Sequence, residues 1–118
     1  MDTIAGLKSI IKESGLADDI FVDNAPAEVD DSKTICLISR DGFYFDDFGD
    51  NSVSIYSYGY QLDFYFKAKI DFDIQLAEKE LYKKLLELGY LISESTGLIK
   101  DIETKRYVLH IKIKKEQQ

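Results

Sequence analysis

Val53-Ser54-Ile55-Tyr56-Ser57-Tyr58-Gly59-Tyr60-Gln61-Leu62-Asp63-Phe64-Tyr65-Phe66-Lys67-Ala68-Lys69 is the stretch that decides the fold. Tyr56, Tyr58, Tyr60, Leu62, Phe64, Phe66 and Ala68 alternate with Ser57, Gly59, Gln61, Asp63, Tyr65 and Lys67. Successive side chains of a strand point to opposite faces, so a period of two sustained this long predicts one long strand, apolar on one side and wet on the other.

Downstream the period changes. Asp71 or Asp73 can cap a helix in which Ile74, Ala77, Leu81, Leu85 and Leu88 form the core stripe, with Glu80 and Lys84 paired four residues apart. Gly89 is placed to end that helix in the left-handed conformation. Tyr90-Leu91-Ile92 then starts a strand, Ser95-Thr96-Gly97 interrupts, and Tyr107, Leu109, Ile111 and Ile113 alternate with Val108, His110, Lys112 and Lys114. These last two strands read as a hairpin with a long polar tip around 101–104.

Upstream, Ile4, Leu7, Ile10 and Ile11 recur at helical spacing between Asp2 or Thr3 as N-cap and Ser14-Gly15 as a stop, which predicts a helix over 3–14. Ile20-Phe21-Val22 is a brief extended run closed by Asp23-Asn24-Ala25-Pro26. Thr34-Ile35-Cys36-Leu37-Ile38-Ser39 is β-branched and apolar on both faces, as a central strand requires. Residues 41–52, Asp-Gly-Phe-Tyr-Phe-Asp-Asp-Phe-Gly-Asp-Asn-Ser, have no clean period and read as a long hairpin loop.

The order is therefore helix, three strands, helix, two strands. It suits a single α+β domain over 1–118, with both helices on one face of a mostly antiparallel sheet of about five strands. With 118 residues, 45% hydrophobic and 31% charged, the chain has room for one ordinary core and no second domain. No apolar run approaches the roughly 20 residues that span a bilayer, and Met1-Asp2-Thr3-Ile4 lacks the basic start and apolar core of a secretory signal. A soluble protein not exported by that route is expected.

The net charge of −7 is unevenly placed: residues 1–63 hold 13 acids and 4 bases, residues 64–118 hold 9 acids and 11 bases. Two electrically different surfaces are expected. Acidity also argues against a general nucleic-acid binder, because affinity for phosphate backbones rests on clustered Lys and Arg, and Lys112, Lys114 and Lys115 form too short a cluster to reverse it. The tyrosines and phenylalanines from Tyr56 to Phe66 could stack on bases, but strict strand spacing without accompanying Arg is the pattern of a core face.

Catalytic and metal sites need groups that converge, and this chain has one His, one Cys and no HxH, HExxH or CxxC spacing. No phosphate-binding glycine motif is present either. Cys36, in an apolar run with no adjacent positive charge, reads as a packed thiol. His110 shares its strand face with Lys112 and Lys114 and reads as a rim histidine. Asp46, Asp47 and Asp50 lack the alternating ligands and closing Glu of a calcium loop. Asp71 and Asp73 are explained by a helix start. No enzyme, cofactor or metal is expected.

Binding is the function that is left, and it has a location. Phe43, Tyr44, Phe45 and Phe48, set among Asp46, Asp47 and Asp50, are hard to bury in so small a domain. Either they form a protein–protein contact, with the acids selecting the partner surface, or two or three fold back as a lid over the sheet edge.

The run Gln61-Leu62-Asp63-Phe64-Tyr65-Phe66, leading through Asp71-Phe72-Asp73 into a helix that ends Leu88-Gly89-Tyr90, and the closing unit from Ser95-Thr96-Gly97 through Asp101-Ile102-Glu103-Thr104 to the final strand, carry a resemblance over nearly the whole chain. The sequence resembles the phage tail terminator and tail-completion proteins, the tail-component family of siphophages and Gram-positive prophages. Lys outnumbers Arg 13 to 2, in keeping with an AT-rich genome. The resemblance implies a structural protein that caps or completes the tail tube and joins it to the head-side connector through a ring, often of six copies. Its implied partners are itself, the tail tube protein and the head–tail connector protein, with no nucleic-acid sequence recognition and no membrane. Its implied place is the virion tail after assembly and the bacterial host cytoplasm before it. In such proteins a long loop between the second and third strands commonly reaches a neighbour, which here is 41–52. The alternative reading is a small acidic inhibitor or immunity-type protein that covers the cleft of a basic partner enzyme.

Overall fold

The computed structural model describes residues 3–24, 32–48, 53–103 and 105–117; within its elements, the side chains of Thr3, 41–48, 53–57, 116 and 117 lie outside that description. The element order is α1 (Thr3–Ser14), β1 (Asp19–Val22), β2 (Ile35–Phe48), β3 (Val53–Tyr65), α2 (Ile74–Glu87), β4 (Tyr90–Ser95), β5 (Ile99–Lys100) and β6 (Tyr107–Gln117). The strands make one sheet in the order β1-β2-β3-β6-β4, with β5 also on β6. Only β1 and β2 run parallel. The expected α+β class, with two helices on a mostly antiparallel sheet, is what forms. The sheet gains one strand over the expectation, because Ile99 and Lys100 of the presumed tip pair with Val108 and Tyr107.

Register explains where the core sits. Cys36, Phe64 and Leu109 form one row across β2, β3 and β6, and Ile38, Leu62 and Ile111 form the next but one; all six are buried. Against that face pack Leu7, Ile10 and Ile11 of α1 and Ile74, Ala77, Leu81 and Leu85 of α2, in one apolar cluster. Each fully buried large side chain there is worth about 1.5–3 kcal/mol of transfer free energy.

The helix ends follow local chemistry. Asp73 Oδ1 accepts the N–H of Leu76 at 3.1 Å, the N-cap expected of it, while Asp71 pairs instead with Lys67 Nζ at 2.8 Å. Gly15 and Gly89 close the two helices at φ 76° and 89°, where a Cβ would be strained.

Three expectations need correction. Leu88 is exposed and does not extend the α2 stripe; as the C-cap, with φ −91° and ψ 6°, it has left the helical phase. Lys84 reaches across to Glu13 Oε2 of α1 at 3.2 Å rather than pairing with Glu80, since α1 lies alongside and brings that carboxylate within reach. Residues 41–48 are the outer half of β2 and not a loop. The rest of the predicted loop, 49–52, lies outside the described residues. The outer part of β3 must satisfy its own backbone N–H and C=O groups, and Phe and Tyr pair well on a strand whatever the local period.

One end of the sheet is tied by two polar side chains. Thr34 is buried; its Oγ1 accepts the N–H of Lys67 at 3.0 Å and its own N–H donates to Asp18 Oδ2 at 2.9 Å. Arg106 donates to the carbonyls of Phe66 at 2.7 Å, Lys33 at 3.2 Å and Tyr65 at 3.3 Å. These bonds hold the start of β6 against the ends of β3 and of the segment before β2.

Candidate functional site

The aromatic and acidic residues singled out from the sequence stand on a hairpin arm. Phe43, Tyr44, Phe45, Asp46, Asp47 and Phe48 pair in register with Tyr58, Ser57, Tyr56, Ile55, Ser54 and Val53. Asp50 lies outside the described residues. At the base of the arm the register shifts between Arg40 and Gly42, leaving Asp41 as an extra residue, and Gly42 then faces Gly59. Such a bulge bends the strand and increases its twist, and a glycine pair removes the side chains that would stiffen it. Among the described residues, β6 follows β3 only as far as Tyr56, opposite Gln117. Beyond that the arm is a two-stranded ribbon, and an isolated ribbon is marginally stable in water without a further surface to pack on. The molecule measures 54 × 28 × 26 Å, and its radius of gyration of 15.6 Å exceeds the roughly 13.5 Å of a compact domain this long.

The face of the sheet away from the helices carries a second grouping. Leu37, Asp63 and His110 share one row, and Ser39, Gln61 and Lys112 the row two residues on. Nδ1 of His110 lies 2.5 Å from Oδ1 of Asp63, which also accepts from Gln61 Nε2 at 2.9 Å. The Tyr65 ring stands edge-on to the imidazole, 6.3 Å between centroids. Asp63 is only 7% exposed although no helix covers it, and a carboxylate so placed is stable because both bonds are made. His110 is thus not a bare rim histidine. Sequence alone could not pair it with Asp63, because the offset between β3 and β6 is not written in either strand.

An Asp–His pair can orient an imidazole for general-base work, but the nearby hydroxyls are otherwise engaged. Thr96 Oγ1 donates to Gly97 O at 2.9 Å and accepts the backbone N–H of His110 at 3.2 Å, and Ser95 bonds Tyr82. Cys36 is on the opposite, helix-covered face, where burial pushes its thiol far up. The pair therefore reads as a polar clasp between β3 and β6. Among the described residues no cluster of three or more His, Cys, Asp or Glu could hold a metal ion, and no helix is long and apolar enough to cross a membrane.

The charge halves of the sequence map onto the sheet. β1, β2 and all but the last two residues of β3 come from the acidic part and β4, β5 and β6 from the basic part, so the boundary runs between β3 and β6.

A family model described as a protein of unknown function (DUF806) matches residues 4–118, nearly the whole chain. No curated protein matches it.

Proposed function

The chain belongs to the DUF806 family, whose function is unknown, and we propose that it is a structural phage or prophage tail component, not an enzyme, that caps or completes the tail tube and joins it to the head-side connector. It acts by ring-like self-assembly, with the tube and connector proteins as partners. The observation that carries this reading is the arm: beyond the bulge β2 and β3 run outward with Phe43, Tyr44 and Phe45 beside the end of β6, and continue as a two-stranded ribbon at Asp46, Asp47 and Phe48. Such a ribbon gains its missing packing surface by docking. The left–right charge split of the sheet supports contacts of the head-to-tail kind, in which different edges of neighbouring copies meet and can close into a ring.

The test replaces Phe43, Tyr44, Phe45 and Phe48 together with Ser. Circular dichroism should keep the helical signal of the body, while co-sedimentation with purified tail tubes is lost. Undiminished binding to the tubes would sink the proposal. The acidic β1-β2-β3 half favours a second reading, an inhibitor of a basic enzyme; tight one-to-one capture of such an enzyme with steep salt dependence would replace the first.

A further inference from the structure

The connection between β5 and β6 carries an exposed knob at 101–103. The Asp101 N–H donates to Arg106 O at 2.8 Å, Lys105 N–H to Asp101 O at 2.7 Å, and Glu103 N–H to Asp101 Oδ1 at 3.0 Å. Lys105 takes φ 60° to close the turn, and Arg106 anchors its base as described above. On this hydrogen-bonded turn Ile102 is 90% exposed, the most exposed large apolar side chain among the described residues. Its sequence neighbours are Asp101 and Glu103. A large aliphatic side chain held in water on a preorganised turn, rather than folded back, is the form of an anchor that fills a pocket.

This chain carries a matching pocket. A cleft of about 320 Å³ opens between α1 and β1, lined by Lys8, Lys12, Asp18, Asp19, Ile20 and Phe21. Lys8 and Lys12, four residues apart, stand on one face of the helix. The two carboxylates are already engaged: Asp18 holds the Thr34 N–H, and Asp19 pairs with Lys33 at 3.7 Å. What the cleft offers is the Ile20 side chain on the helix side of β1 and two ammonium groups beside those carboxylates, while Phe21, in register with Leu37, turns its ring to the other face. These lysines are a basic island in the acidic half of the chain, and Asp101 and Glu103 are acids in the basic half.

Position fits as well. Asp19, Ile35, Tyr65, Val108 and Ile99 form a single row across β1, β2, β3, β6 and β5. The cleft lies at one end of that row and the knob's strand at the other, roughly 19 Å away at about 4.8 Å per strand. Knob and cleft are thus on opposite lateral edges at the end of the sheet remote from the arm.

We infer that the 101–103 knob of one copy seats in the α1–β1 cleft of a second copy, Ile102 against Ile20, with Asp101 and Glu103 facing Lys8 and Lys12. The contact joins unlike surfaces, so it leaves a free knob and a free cleft at every step, and repetition about an axis closes a ring. It rests on the self-assembly reading above and names the surfaces that reading leaves open.

Two chains each with one added cysteine, Ile102→Cys and Lys12→Cys, are mixed at assembling concentration under mild oxidation; the buried Cys36 makes the natural chain the unreactive control. A mixed disulfide dimer is expected, well above that formed by Ile102→Cys with Glu80→Cys on the exposed side of α2. In sedimentation velocity, Ile102→Asp should weaken self-association at least tenfold. Lys8→Glu with Lys12→Glu should do the same, and adding Asp101→Lys and Glu103→Lys to that chain should restore it. Self-association that persists through these changes without a 12–102 cross-link overturns this contact and leaves the ring reading standing. Monomer alone and on tail tubes overturns both.

Discussion

The two faces of one sheet, drawn from the same strands and the same hydrogen bonds, have different fates. The face carrying Cys36, Ile38, Leu62, Phe64, Leu109 and Ile111 is closed by two helices, and the buried cluster there is apolar but for the thiol of Cys36 and the hydroxyls of Tyr60 and Tyr90. The face carrying Leu37, Ser39, Gln61, Asp63, Tyr65 and His110 has no layer over it, yet Asp63 is nearly as buried as the core. Burial on the first face comes from a second layer of structure. On the second it comes from neighbouring side chains that also satisfy the group they hide. The first is held by apolar area and the second by specific bonds.

The sharpest test of that contrast is Phe64→Ala, which should lower stability by about 3–5 kcal/mol in urea unfolding, transfer and cavity terms together. Lys112→Ala on the other face of neighbouring β6 should stay within about 0.5 kcal/mol. A comparable loss at both positions would erase the distinction. Asp63→Ala comes next. It strands His110 and Gln61 without their acceptor and should remove about 1–3 kcal/mol, whereas Asp63→Asn, which keeps an acceptor oxygen, should recover part of the loss. Equal effects would mean that the carboxylate is held by shape alone.

Asp73→Ala bears on the covering layer rather than the sheet. Loss of this N-cap should cost about 1 kcal/mol and show first as reduced helicity of α2. The smallest effect at neutral pH is Tyr90→Phe, which acts only in alkali. Burial pushes the Tyr90 hydroxyl from 10.0 up to about 12, so the folded chain retains a proton that the unfolded chain has released. The stabilisation is fully present below pH 10.0 and is lost as pH rises through about 12. Thermal melts of Tyr90→Phe should therefore fall less steeply than wild type in that window, with Tyr82, likewise raised to about 12 beside Glu78, accounting for part of the remaining slope.

The covered face was legible because its signal is periodic. Spacing alone assigns Tyr60, Leu62, Phe64 and Phe66, Leu7, Ile10 and Ile11, and Ile74, Ala77, Leu81 and Leu85 to the core, and these are buried; Ile4 of the α1 stripe is only partly buried, and Tyr58, on the apolar face of β3, is exposed. Periodicity states which residues share a face; it does not state which strand lies alongside. For that reason the Asp63–His110 pair, the row joining Asp19 to Ile99, and the cross-helix reach of Lys84 to Glu13 had no counterpart in the sequence. The arm reads as a loop for a related reason. Its glycines, acids and aromatics mimic a loop, and only the pairing demand of β3 makes a strand of them. Ile102 was hidden inside a segment that looked merely polar, since a single apolar residue among charges carries no periodic signal.

β6 lies between β3 and β4, yet it is the last strand of the sheet in chain order. A ribosome therefore delivers β1, β2, β3, α2 and β4 before it delivers the strand that joins the two parts. Until Tyr107–Gln117 emerges, the inner edge of β3 is unpaired, a template for contact with other nascent chains. The excess of acids among residues 1–63 falls on the part that waits, and like charge holds such half-sheets apart during synthesis. Joining β3 to β6 also requires closing a loop of some 40 residues before any of their pairing is gained, and non-local contacts of that kind slow folding.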